Sequence, residues 1–284
     1  MFEHIIEFKK SKYDENGILV SDFLLSNEIE ISKKAWERIY DYDLEELKKD
    51  RKDFDGCKLF DHMESISKSF KFDSNTYYLE IGCGPAHIGD YLMENHDVYF
   101  IGVDFNYNML LTLKKYFDKK GYKKYLLIHG DINDMPIKNN TIDFVYGGGV
   151  IEHMSDTNKI LKELYRILKS NGVSFNTVPA FNLWWLTRFY NTIPFSFCRK
   201  WFDFLHLTVL KGKLLESGSG YQLGYTPKNL FALHKKVSFR DIYVSAFAFH
   251  PSRRIVKSKI LSNLFYQLHK FNLFCAVYQV YGKK

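Results

Sequence analysis

Two rhythms of apolar residues alternate along the middle of this chain. Between residues 77 and 180, short runs rich in Val, Ile, Leu and Tyr are separated by stretches whose apolar positions recur every three or four residues. The first rhythm predicts buried strands and the second amphipathic helices. Residues 77–81, 98–104 and 126–131 read as strands, and a helical pattern begins near Ala86. The segment 156–170 places Ile160, Leu161, Leu164, Ile167 and Leu168 on one helical face. Strands alternating with helices predict an α/β fold: a parallel sheet with helices on both faces.

The flanks read differently. Residues 1–76 are charged and mostly helical in pattern, with Trp36 and Tyr40 four apart and an apolar stripe through Leu59, Met63 and Ile66. Residues 181–225 interrupt the alternation with Trp184, Trp185, Trp201, Phe202 and Phe204, and Pro194 breaks any helix there. Thr226-Pro227 reads as the N-cap and first residue of a helix reaching His234. Two late strands are expected over 237–248 and 271–281. Between them, 253–270 reads as a basic amphipathic helix. No internal repeat or low-complexity linker is visible.

Composition narrows the class. The chain has 284 residues, of which 46% are hydrophobic, enough for a large packed core. Cys57, Cys83, Cys198 and Cys275 are scattered, with neither zinc spacing nor a disulfide framework, so no metal site is expected. The N-terminus lacks the apolar core of a secretory signal, and no run reaches the ~18 apolar residues of a membrane span. A soluble cytoplasmic protein is therefore expected. The net charge of +7 hides an asymmetry: residues 181–284 balance at +13 and residues 1–180 at −6. The basic portion also holds 23 of the 49 aromatic residues, which points to an anionic partner or an aromatic core with solvated lysines.

The candidate chemistry sits at the strand ends. Residues 77–92 read YYLEIGCGPAHIGDYL, a strand, a small-residue turn and a helix, the arrangement that brings backbone N–H groups close to a nucleotide-like ligand. A dinucleotide fingerprint needs Gly where His87 stands, so the pattern is Glu80-x-Gly82-x-Gly84-x-Ala86 instead. His87 itself reads as an exposed first-turn residue. A second strand ends in Asp104, 24 residues after Glu80, and a third closes on Gly130-Asp131. Residues 135–154 read MPIKNNTIDFVYGGGVIEHM, and residues 160–178 read ILKELYRILKSNGVSFNTV.

In order and spacing these motifs resemble the class I S-adenosylmethionine-dependent methyltransferases, over residues 77–180. The resemblance is closest to the subfamily that includes the ubiquinone and menaquinone biosynthesis enzymes. The turn Ser170-Asn171-Gly172 departs from the family's Pro-Gly-Gly. The resemblance implies a Rossmann-like, seven-stranded, mostly parallel sheet closed by an antiparallel hairpin. It divides the chain into an N-terminal helical extension (1–76), a cofactor-binding core (77–180) and a substrate-covering portion with the last sheet elements (181–284). The implied cofactor is S-adenosylmethionine, with S-adenosylhomocysteine as product.

Carried over residue by residue, the turn Gly82-Cys83-Gly84 approaches the methionine and ribose portions, and Glu80 orients that end. Asp104 grips the ribose hydroxyls and Phe105 packs on the adenine. Asp131 accepts from the adenine amino group, with Ile132 offering its N–H, and a carbonyl near Gly147 meets the cofactor's amino group. His153, beside Glu152, is either a base or a structural histidine holding its loop. Tyr146, Trp184, Trp185 and Tyr221 are candidates for facing the acceptor. Gly147-Gly148-Gly149-Val150 stands where adenine N-methyltransferases of nucleic acid carry Asn/Asp-Pro-Pro-Tyr/Phe, which argues against that class. The acceptor is expected to be a small, glycan or lipid-like metabolite, with peripheral membrane contact through the basic aromatic portion. An RNA methyltransferase and a non-catalytic cofactor-binding regulator remain open alternatives.

Overall fold

The computed structural model describes residues 1–21, 36, 37, 39–154, 156–182, 214–216, 220–222, 224–248 and 259–284. The chain opens with two short strands, β1 (Ser11–Tyr13) and β2 (Leu19–Ser21), then helices α1 (Leu44–Cys57) and α2 (Leu59–Ser69). Alternation follows: β3 (Tyr77–Ile81), α3 (His87–His96), β4 (Tyr99–Asp104), α4 (Tyr107–Lys120), β5 (Tyr125–His129), β6 (Ile142–Gly148), α5 (Thr157–Ile167) and β7 (Leu168–Pro179). A separate hairpin, β8 (Leu214–Glu216) with β9 (Gly220–Gln222), precedes α6 (Pro227–Lys236), β10 (Arg240–Ala246), α7 (Lys259–Lys270) and β11 (Val277–Lys283).

Side-chain oxygens cap several of these helices. Asp156 accepts from Asn158 N and Lys159 N at 2.9 and 3.2 Å, and Asn106 from Met109 N at 3.1 Å. Thr226 accepts from Asn229 N, with Pro227 in the first turn as the sequence predicts. The strands follow period two. Tyr78, Phe100, Phe144 and Phe175 pack towards α1–α4, while Leu79, Ile81, Ile101 and Val145 pack towards α5 and α6. Gly89 lets α3 lie on the sheet, since a Cβ there would come within 2.2 Å of the Phe100 ring.

The main sheet runs β1-β2-β5-β4-β3-β6-β7-β11-β10. Pairings from β2 through β7 are parallel, and those at the two ends are antiparallel. Seven strands form the expected sheet, closed by the expected antiparallel pair β11-β10. Two more join it from residues 1–76, which the sequence presents as helical. There Asp14 Oδ1 accepts from Asn16 N and Ile18 N, turning the chain so that Leu19 pairs with Ile128 on β5. Strands of three residues are too short to declare a period.

Three other boundaries shift. Helix α5 stops at Ile167, because Leu168 is already extended at ψ 140°. Ser170-Asn171-Gly172 falls inside β7, with Asn171 at φ 66°, and its backbone exchanges hydrogen bonds with Lys284 (both 3.0 Å). The late strands start at Arg240 and Val277, because the preceding residues close the turns after α6 and α7. The basic helix is described from Lys259, and residues 253–258 lie outside the described residues. Among the described residues, no helix is long and apolar enough to cross a membrane.

Candidate active site

Strand order reverses at β3, which has β4 on one side and β6 on the other. In open α/β sheets, the crevice beyond the strand ends at such a reversal receives ligands. A cavity of about 480 Å³ lies there, within the range of small-molecule pockets. Its floor comes from Glu80, the turn Gly82-Cys83-Gly84-Pro85, Asp104-Phe105-Asn106, Gly130-Asp131-Ile132 and the residues after β6. Each group lies at or just beyond the C-terminal end of a parallel strand.

The glycine turn bends through left-handed backbone, with Gly82 at φ 54° and Gly84 at φ 43°. A side chain at Gly82 would also come within 2.8 Å of Val150. The buried Asp104 carboxylate holds this turn: Oδ2 accepts from Gly84 N and Oδ1 from Asn106 N, both at 2.8 Å. Burial raises its pKa against those hydrogen bonds. Glu80 is also buried, and its Oε2 accepts from Tyr78 Oη at 3.2 Å and from Gly89 N at 3.1 Å. Burial pushes the Glu80 carboxyl up to about 8. Cys83 is buried behind the turn, with its thiol pushed well up by burial. Asp131 Oδ1 accepts from Asn133 N at 2.8 Å and from its amide nitrogen at 3.0 Å, so it both caps a turn and lines the cavity.

The lining passes from Tyr146 to Gly148 and Gly149, leaving out Gly147. A Cβ at Gly147 would meet Asn176 Oδ1 at 2.4 Å and Ile81 at 3.0 Å, because this glycine faces its sheet neighbours. His153 lines the cavity, with its ring edge-on to Trp36 at 5.3 Å. Glu152 stands 4.0 Å from His153 Nε2 and is itself buried, its carboxyl pushed up to about 8 by burial. Trp184 and Trp185 lie outside the described residues, as do Pro194, Trp201, Phe202 and Phe204. Tyr221 is described only by its backbone, on β9.

The opposite wall comes from residues 36–62. Trp36 and Tyr40 stack at 5.7 Å, and Tyr42, Asp50, Phe54, Lys58 and His62 continue the surface. His87 is not the exposed residue its position suggests. It is stacked on Phe54 at 4.2 Å and hydrogen-bonded to Asp50 at 2.9 Å. Burial, with Arg51 nearby, pushes it down to about 4. Arg51 fastens this wall to the floor: it pairs with Asp90 at 2.9 Å, donates to Pro85 O in the glycine turn and lies over the Tyr116 ring. A sequence signal for the wall does exist. Asp50, Phe54, Lys58 and His62 are spaced four apart, an aromatic and ionisable row where a core face would be aliphatic.

Residues 79–175 match the family model described as a methyltransferase domain. The chain carries a class I S-adenosylmethionine-dependent methyltransferase domain. A demethylmenaquinone methyltransferase of Staphylococcus saprophyticus is 32% identical over 124 residues, 41% of this chain and 52% of that protein. One from Anoxybacillus flavithermus is 29% identical over 109 residues, 37% of this chain and 45% of that protein. The chain thus spans about half the length of these curated relatives. Among solved structures, the phosphoethanolamine N-methyltransferase 2 of Haemonchus contortus, in complex with S-adenosyl-L-methionine, shares the fold at TM-score 0.54 and 18% identity, covering 77% of this chain and 51% of that one. In the methyltransferase domain, the motif acids Glu80, Asp104 and Asp131 all reach one cavity.

Proposed function

We propose that this chain transfers a methyl group from S-adenosylmethionine to a small-molecule acceptor, leaving S-adenosylhomocysteine. The observation that carries the reading is the buried Asp104 carboxylate, at the cavity and bonded to the Gly84 N–H of the glycine turn. That arrangement fits a ribose beside a turn with no side chains in the way. Asp104 would hold the ribose hydroxyls, and Asp131, Ile132 and Phe105 the adenine. Glu80 and the β6 end at Gly148-Gly149 would face the methionine portion. When bound, the cofactor supplies an electrophilic methyl on a sulfonium. The chain's own part is to hold, align and desolvate the reactants.

The wall of Trp36, Tyr40, Tyr42 and Phe54 suits an apolar or aromatic acceptor better than a small polar acid. The reading extends to a cytoplasmic protein that touches membrane peripherally. Ile260, Leu264 and Phe271, on and just after α7, are 83%, 51% and 67% exposed in the basic portion of the chain. Trp184, Trp185 and Tyr221 are proposed to cover the acceptor.

Calorimetry tests the core of the proposal. Wild type should bind S-adenosylmethionine and S-adenosylhomocysteine, and should not bind NAD specifically. Asp104→Ala should weaken the cofactor by about ten- to a hundredfold, the value of roughly 1.5–3 kcal/mol of hydrogen bonding to a charged acceptor. A folded wild type that binds neither adenosyl compound would refute the reading.

A further inference from the structure

We propose that Tyr146 and His62 form a proton-accepting pair that receives a methyl acceptor bearing a hydroxyl on an apolar frame. The inference rests on the methyltransferase reading above. Tyr146 comes from the end of β6, and His62 from α2, 84 residues earlier. Their side chains meet at the cavity, with Tyr146 Oη 2.7 Å from His62 Nδ1. Around His62 stand Tyr146 at 5.8 Å, Phe54 at 5.6 Å and Phe247 at 4.7 Å between ring centroids.

This setting keeps both partners of the hydrogen bond neutral. Burial pushes His62 down to about 4, with Lys58 and His87 acting in the same sense and Asp61 against them. Burial also drives the Tyr146 phenol well up, so it keeps its proton. A neutral imidazole that carries its proton on Nε2 accepts at Nδ1, and in that tautomer Tyr146 donates to it. The phenol has then committed its only proton. The Thr177 hydroxyl donates to one of its lone pairs, and the other is left to accept from a protic group. An acceptor without an N–H or O–H gains nothing there. A cationic amine meets, on this wall, a carboxylate, Asp50, already engaged by His87 at 2.9 Å. Trp36, Tyr40 and Phe54 provide the apolar surface against which a hydroxyl-bearing frame packs.

The step balances. The acceptor's O–H proton passes to Tyr146 Oη as the tyrosine's own proton passes to His62 Nδ1. The oxygen's freed electron pair forms the new O–CH3 bond, and the pair of the broken S–CH3 bond stays on sulfur. One positive charge leaves the sulfonium as one appears on the imidazole, so the charge of the site is unchanged. An imidazole too dry to hold a proton in the free protein can therefore take one during transfer. Tyr146 is the catalytic residue of the pair, and His62 positions it and stores the proton.

The test uses the full chain, labelled S-adenosylmethionine and the organic-soluble fraction of a cell extract, half of it acetylated to cap hydroxyls. Wild type should label the untreated half and not the acetylated one. Tyr146→Phe and His62→Ala should each lower turnover at saturation by about 10²- to 10⁴-fold, the usual worth of general-base help. Cofactor affinity by calorimetry should hold in both, and His62→Gln, which still offers an acceptor, should recover part of the turnover. Independently of activity, the ¹⁵N shift of His62 Nδ1 should report a hydrogen-bonded acceptor in wild type and change in Tyr146→Phe. Equal labelling of both halves, wild-type turnover in Tyr146→Phe, or cofactor binding with no label transferred would each overturn the inference. Absence of cofactor binding by wild type would instead bring down the methyltransferase reading, and this inference with it.

Discussion

Cofactor binding should expel a proton, and Glu80 should be its source. The carboxyl is buried with its Oε2 held by Tyr78 and Gly89. Burial moves its pKa from the usual 4.5 to about 8, against the smaller pull of those hydrogen bonds and of Arg51. At pH 7 about nine in ten molecules therefore carry the proton. A cationic ligand arriving at this end of the cavity favours the carboxylate. Binding at pH 7 should then release up to about 0.9 proton per site. Calorimetry in buffers of different ionisation enthalpy reads this number directly, as the slope of apparent against buffer enthalpy. In Glu80→Gln the slope should fall to near zero. Glu152 is also pushed up to about 8 but is absent from the cavity lining, so Glu152→Gln should leave the slope unchanged.

Stability must follow the same sign. A carboxyl with a raised folded-state pKa contributes stability below its unfolded value, and that contribution is lost as pH rises from 4.5 to about 8. The span is on the order of 5 kcal/mol. The ligand-free protein should therefore be less stable at pH 8 than at pH 6, and Glu80→Gln should reduce that slope while leaving the part due to Glu152, whose carboxyl is pushed up to the same value. No proton release by wild type, or the same release by Glu80→Gln, would refute the reasoning.

Two further outcomes are expected. Arg51→Met should lower stability by about 2–3 kcal/mol, below the usual range for breaking a buried ion pair, because Asp90 keeps Lys120 at 3.2 Å and Tyr122 at 2.8 Å. It should also weaken the cofactor through the loss of its bond to Pro85 O, and thermal melts with calorimetry would expose a variant that behaves like wild type. Wild type should sediment with anionic vesicles at low salt, and Ile260→Ser with Phe271→Ser should abolish this. Equal, negligible binding to anionic and neutral vesicles would remove the membrane contact.

Local order carried much of this protein in its sequence. The strand-turn-helix around Gly82 and Gly84, the acids Asp104 and Asp131 at strand ends, and the cap Thr226 each depend on residues within a few positions, so one-dimensional pattern exposes them. The parallel sheet followed from alternating periods, and its seven strands with an antiparallel closing pair from resemblance. Long-range packing decided the rest. Strands β1 and β2 exist as sheet members because β5, more than 100 residues later, offers them an edge. Gly147 and Gly148 look alike in sequence, and the pleat of β6 alone turns one to the sheet neighbours and the other to the cavity. His87 looks exposed until Phe54 and Asp50 close over it. His62 and Tyr146 carry no mutual signal across 84 residues, and they meet because burying the apolar stripe of α2 against the sheet brings that imidazole to the end of β6. Chemistry within one turn is written locally, whereas a cavity wall is set by which surfaces the hydrophobic effect brings together, and that is decided only in three dimensions.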